Sequence, residues 1–133
     1  DESDLGAEHI AEQLGENIKQ VFKTIVMHGD KTGKFVCVVP GDAEIDLKKA
    51  ASVSGNKKCA TLPLKELLPT TGYIRGGCSP IGMKKQFPTY IDESAKNFEQ
   101  IYVSAGIRGM QVKLSPKDLA NETKADFCDL IME

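Results

Sequence analysis

Much about this chain is settled by what it lacks. No apolar run approaches the roughly 20 residues needed to span a bilayer as a helix. The four cysteines, Cys37, Cys59, Cys78 and Cys128, are widely spaced and contain no C-x-x-C pair. That argues against a zinc site and against a disulfide framework. Histidine occurs only as His9 and His28. Neither belongs to a recognisable Cys/His signature, no Ser-His-Asp order is evident, and the acidic residues form no paired-carboxylate pattern. Basic charge is not in excess either: Lys plus Arg is 17 against 19 for Asp plus Glu, a net charge of −2. A domain that grips nucleic acid by itself is usually basic. Any nucleic-acid contact by this chain is therefore expected to be weak, local or shared with a partner. There is no internal repeat, low-complexity segment or linker.

What is present suits one globular domain. The 133 residues are 41% hydrophobic and 27% charged, enough for a core of its own. The chain begins Asp1-Glu2-Ser3-Asp4 with no initiator Met, the pattern expected of a processed or trimmed N-terminus. Free thiols in a reducing cytoplasm are the expected state of the cysteines. Cys37 and Cys128 lie in apolar runs and read as small buried hydrophobes.

Periodicity outlines the elements. Residues 4–14 have helical spacing that ends at Gly15. The runs 21–27 and 35–39 predict a hairpin around the turn 29–33. Asp46 caps a helix that runs to Ser54 and closes at Gly55. A short strand follows at 59–62, then a helical turn at 64–68 that Pro69-Thr70-Thr71-Gly72 breaks. Strands are predicted at 87–91, 100–104, 110–114 and 126–132. A short helix or turn is expected at 92–95, and Ser115-Pro116 starts another helix. Short strands and helices with many non-local connections predict an α+β domain, a curled, mostly antiparallel, barrel-like sheet with short helices around it.

The segment Gly72-Tyr73-Ile74-Arg75-Gly76-Gly77-Cys78-Ser79-Pro80-Ile81-Gly82 carries the most chemical information. Glycines let a backbone approach a ligand, and successive exposed N–H groups form a nest for an oxyanion or carbonyl. A tight turn at a sheet edge is the plainer alternative. The spacing matches neither a Walker A loop nor a dinucleotide fingerprint. Lys23 shares a strand face with Val21, Ile25 and Met27. It is either a lysine snorkelling from an edge strand or a cation facing a pocket. Cys78, inside the glycine segment, invites a nucleophile reading that lacks a matching base. Ser104 and Arg108 flank a Gly106–Gly109 hairpin turn and matter only if that turn meets the glycine segment. Lys84-Lys85 can touch phosphates of a nearby ligand.

Together these residues resemble the YbaK/EbsC family of Cys-tRNA(Pro) deacylases, related to the editing domain inserted in bacterial prolyl-tRNA synthetases. The similarity is carried by the stretch Gly72–Lys85 and by Phe22-Lys23-Thr24, Asp46–Ala51, Ile101–Ser104 with Gly106, Arg108 and Gly109, and Leu114–Leu119, all in the same order. The resemblance implies a mixed α/β fold around a distorted barrel, with no cofactor or metal. It implies hydrolysis of Cys-tRNA(Pro) in trans, and of Cys-tRNA(Cys) as well. The substrate's own thiol attacks the aminoacyl ester, the ribose leaves and a cyclic thioester forms, so no protein nucleophile is needed. Lys23 matches the essential lysine. As an ammonium it would orient the tRNA terminus or carbonyl rather than act as a base. The loop Gly76, Gly77, Cys78, Ser79 and Pro80, with Ser104 and Gly106, would bind the substrate. The expected partners are aminoacyl-tRNA and prolyl-tRNA synthetase.

Three departures stand out. Family members usually begin with an additional strand and loop that supply a pocket tyrosine, so this chain is expected to lack its first strand. Gln111 stands where some members have an acidic residue, and Cys78 replaces a more usual apolar one. The competing expectations are a non-catalytic regulatory or binding module of the same fold, and a hydrolase dependent on Cys78.

Overall fold

The computed structural model describes residues 18–133. The helix expected at 4–14 lies outside the described residues. Alternating apolar residues carry the chain into the expected hairpin. Strand β1 (Phe22–Gly29) pairs antiparallel with β2 (Gly33–Pro40) along its whole length. Helix α1 (Leu47–Ser54) follows as predicted. The Asp46 carboxylate accepts the N–H groups of Lys48 and Lys49, and Gly55 ends the helix in the left-handed conformation. Strand β3 (Cys59–Thr61) then pairs with the far end of β1.

Helix α2 (Leu64–Thr71) runs through Pro69 instead of stopping at Leu68. Proline removes one main-chain bond from this short helix. The last turn is held by the Thr71 hydroxyl donating to the Leu67 carbonyl and by the Gly72 N–H donating to the Leu68 carbonyl, both at 2.8 Å. Strand β4 (Thr89–Asp92) begins past Pro88, whose carbonyl accepts the Val36 N–H. A 3₁₀ turn (Glu93–Asn97) and the hairpin β5 (Ile101–Ser104)–β6 (Gln111–Leu114) follow. Helix α3 (Pro116–Thr123) is capped by the Ser115 hydroxyl.

The strand expected to reach Met132 is shorter. Strand β7 (Asp126–Cys128) ends where its partner β4 ends. There the buried Asp92 carboxylate accepts the N–H of Ser94 and of Leu130 and turns both chains away. Ile131 instead bridges Ile45.

The strands form a five-stranded sheet, β3-β1-β2-β4-β7, and the separate β5–β6 pair. The three antiparallel pairs contain most of the pairing, while β2–β4 and β4–β7 are parallel. The architecture is a single α+β domain. Among the described strands the sheet does not close into a barrel. The β5–β6 pair meets the residue that leads into β1 at a parallel bridge between Val21 and Tyr102. No helix among the described residues is long and apolar enough to cross a membrane.

The large sheet is buried on both faces. Phe22, Val26, Val36, Val38 and Ile91 pack with Ile101 and Val103 of β5 and Leu119 of α3. The opposite face packs Met27, Phe35, Cys37 and Val39 against Ala50 of α1 and Leu130. The β1–β2 turn is fastened to the end of α1 by one buried side chain. The Asn56 carbonyl oxygen accepts the N–H groups of Lys31 and Thr32, and its amide donates to the hydroxyls of Thr32 and Ser54. Asn56→Ala is expected to cost about 2 kcal/mol, because four bonds are lost while the freed turn amides can rehydrate. Urea denaturation should show the midpoint falling without a change in slope.

Candidate functional site at the glycine loop

The glycine segment is a loop that a few side chains pin at fixed points. The Thr71 hydroxyl accepts the Tyr73 N–H at 3.0 Å. The Tyr73 hydroxyl donates to the Ile81 carbonyl at 2.6 Å, tying the two ends of the loop together. The Ser79 hydroxyl accepts the Ile81 N–H. Cys78 turns inward and packs into the core shared by β1, β2 and β5. Gly76 has φ +85°, a conformation side-chain-bearing residues rarely adopt. A Cβ on Gly77 would stand 3.0 Å from the Arg108 nitrogen and 3.3 Å from the Ile107 carbonyl carbon. The loop and the turn that follows β5 therefore touch backbone to backbone.

This contact joins two segments that sequence order separates. The Ser104 hydroxyl accepts the Gly106 N–H at 3.3 Å. Arg108 lies along Gly76 and donates to the Arg75 carbonyl at 3.3 Å. The Gly77 N–H donates to the Ile74 carbonyl. Among the described residues, the N–H groups of Gly76, Cys78 and Ser79 have no protein acceptor. Such a row of backbone donors suits a carbonyl or an oxyanion.

Lys23 pairs with Val39 of β2, while β3 covers only Met27–Gly29 on the other side of β1. Lys23 does not run out to solvent from that open side; its ammonium turns to main-chain carbonyls. Its side chain is half-buried, and Nζ donates to the Ala43 carbonyl at 2.7 Å and the Gly41 carbonyl at 3.5 Å. Two of its three donors are so engaged. Lys23 follows Val21 as Ser104 follows Tyr102, and Val21 and Tyr102 pack together across the parallel bridge. Alternation then sends Lys23 and Ser104 out on the same side. No hydrogen bond joins Lys23 to the glycine loop among the described residues. The two are connected through β5 and the turn after it.

The structure thus gathers Gly76, Gly77, Cys78, Ser79, Pro80, Ser104 and Gly106 in one place, with Lys23 one strand away. Gln111 lies opposite Ser104 in the β5–β6 pair, and its side-chain oxygen is buried without a partner among the described residues. The supporting roles of Thr71 and Tyr73 were not anticipated. Their only sequence signal is a hydroxyl and an aromatic at the entrance to a glycine-rich run. His28 is exposed near the β1–β2 turn, away from the loop, and His9 lies outside the described residues. Two surface clefts, of about 500 Å³ beside Lys49 and Asp129 and about 300 Å³ beside Asp42 and Phe98, contain none of the site residues. No group of three or more potential metal-ligating side chains occurs among the described residues.

Residues 3–122 match the aminoacyl-tRNA editing domain family, and the chain belongs to that family. Among its relatives is EbsC of Enterococcus faecalis, assigned as a Cys-tRNA(Pro)/Cys-tRNA(Cys) deacylase. It is 55% identical over 129 residues, which cover 97% of this chain and 79% of that protein. A proline–tRNA ligase of Fervidobacterium nodosum is 28% identical over 94 residues, 69% of this chain and 16% of the ligase. A crystal structure assigned as a trans-editing enzyme for prolyl-tRNA synthetase superposes with a TM-score of 0.89 at 27% identity, covering 98% of this chain and 82% of that one.

Burial pushes the Cys78 thiol up to about 11, although a bond with Thr71 partly opposes the shift. Near pH 7 only about one molecule in ten thousand would carry the thiolate. Cys78→Ala should therefore keep deacylation of Cys-tRNA within threefold of wild type, measured by release of labelled cysteine. A loss of a hundredfold or more would restore the Cys78-dependent mechanism.

Proposed function

We infer that this protein is an aminoacyl-tRNA deacylase that hydrolyses Cys-tRNA(Pro) in trans, and Cys-tRNA(Cys) as well. The observation that carries this assignment is the row of unpaired loop amides at Gly76, Cys78 and Ser79, held against the Ser104–Arg108 turn. The family match and the similarity to EbsC support it. We propose that the β5–β6 pair and the large sheet together form a barrel-like wall behind this site, a reading supported by the bridge between Val21 and Tyr102.

The ester carbonyl oxygen would sit on these amides. The substrate thiol then attacks the carbonyl carbon, a C–S bond forms, and the C–O bond to the ribose breaks. The ribose oxygen takes the thiol proton, and water opens the cyclic thioester. The protein supplies position and charge stabilisation, with no nucleophile of its own. Cys78 contributes its backbone and packing. The Ser104 hydroxyl and the remaining donor of Lys23 would hold the tRNA terminus, while Pro80 stiffens the loop and Gly106 gives it clearance. The net charge of −2 calls for borrowed tRNA affinity. We propose prolyl-tRNA synthetase as the lender, consistent with the similarity to a proline–tRNA ligase. All four cysteines are unbonded, which suits work in the cytoplasm.

Lys23→Met keeps the aliphatic stem and removes the ammonium. It should lower kcat/KM on Cys-tRNA(Pro) by about a hundredfold, with an unchanged circular dichroism spectrum. Retained turnover would remove Lys23 from the site. Ser-tRNA(Pro) and Ala-tRNA(Pro), which lack the thiol, should be cleaved at least about a hundredfold more slowly than Cys-tRNA(Pro) under the same assay. Equal rates on all three would overturn the thiol-assisted route.

A further inference from the structure

Two tight turns form the rim of the glycine loop. The Gly77 N–H closes the turn 74–77 on the Ile74 carbonyl, and the Met110 N–H closes the turn 107–110 on the Ile107 carbonyl, both at 3.0 Å. The backbone contact between Gly77 and Arg108 holds the turns side by side. Their corners present large apolar side chains to solvent: Ile74 is 49% exposed, Ile107 61% and Met110 53%. Single exposed hydrophobics are ordinary, but three on adjoining turns form a patch.

The charge of the two segments that form these turns is one-sided. Segments 72–86 and 104–117 contain six Lys or Arg and no Asp or Glu, in a chain whose net charge is −2. Arg75 follows Ile74 and Arg108 follows Ile107 in the chain, and the Arg108 side chain lies along Gly76. Apolar corners beside arginines suit unstacked bases, and a cation such as Arg75 suits a phosphate. An acidic or neutral protein surface would use the charges but not the gaps between them.

We propose that the turns 74–77 and 107–110 are the docking surface for the unpaired nucleotides that precede the aminoacylated 3′ end of the tRNA. This rests on the deacylase assignment above. The ester lies on the terminal ribose, so once its carbonyl occupies the loop, the preceding nucleotides must leave across the rim. Ile107 and Met110 would carry the bases, and Arg75 a phosphate.

The test compares two substrates, full-length Cys-tRNA(Pro) and 3′-O-cysteinyl adenosine, which has no preceding nucleotides. The double variant Ile107→Ser/Met110→Ser should raise KM on the tRNA roughly tenfold while its rate on the adenosine ester stays within twofold. Arg75→Gln should flatten the dependence of log KM for tRNA on log salt. Equal losses on both substrates, or no loss on the tRNA, would overturn the proposal. So would a loss confined to stimulation by added prolyl-tRNA synthetase, which would assign the patch to a protein partner. Wild-type protein inert on both substrates would instead overturn the deacylase assignment.

Discussion

The approach of Gly77 to the backbone of Arg108 is the contact on which the site depends. Residues 31 positions apart in sequence meet with no side chain between them, and a Cβ would already stand 3.0 Å from the Arg108 nitrogen. Real Cβ atoms are rarely so close to a neighbour, so one methyl group would push the loop from the turn. The loop's donors, Ser104 at the end of β5, and the exposed corners of the rim all take their positions from this contact. Tyr73 reinforces it, with its hydroxyl on the Ile81 carbonyl and its ring against Gly106.

The same arrangement accounts for the kind of chemistry the loop supports. Cys78 is the one thiol inside it, and burial holds that thiol protonated; the Ser79 hydroxyl accepts the Ile81 N–H. With the Cys78 side chain in the core, the loop's remaining donors are the backbone amides of Gly76, Cys78 and Ser79. Amides are fixed dipoles, which stabilise developing charge without reorganising. A reaction whose nucleophile arrives with the substrate suits such a site.

Strand β1 links the site to the rest of the domain. Its two faces enter two different cores, it pairs with β2 and β3, and Val21, just before it, bridges Tyr102 of β5. Lys23 sits in the middle of these constraints. Its ammonium is held by the carbonyls of Gly41 and Ala43, in the chain that leaves β2. Its placement is therefore set by the β1–β2 pairing and by these two carbonyls.

Local structure was legible in the chain because its causes are local. Asp46 and Gly55 bracket α1, Ser115 and Pro116 start α3, and alternation outlines the β1–β2 and β5–β6 hairpins, all through interactions spanning a few residues. The outcomes that differ from local expectation have partners far away or bonds no pattern displays. Helix α2 passes Pro69 because the bonds of Thr71 and Gly72 hold its last turn. Strand β7 stops at Cys128 because Asp92 turns the chain. Residue types and order, including the glycine run, Lys23 and Ser104, were enough to point to the editing family. Only the tertiary structure decided that β2, β4 and β7 run parallel, that the Lys23 ammonium meets the carbonyls of Gly41 and Ala43, and that Cys78 faces the core. Those choices follow from burying the apolar faces of all elements at once, a condition that no single segment of sequence can express.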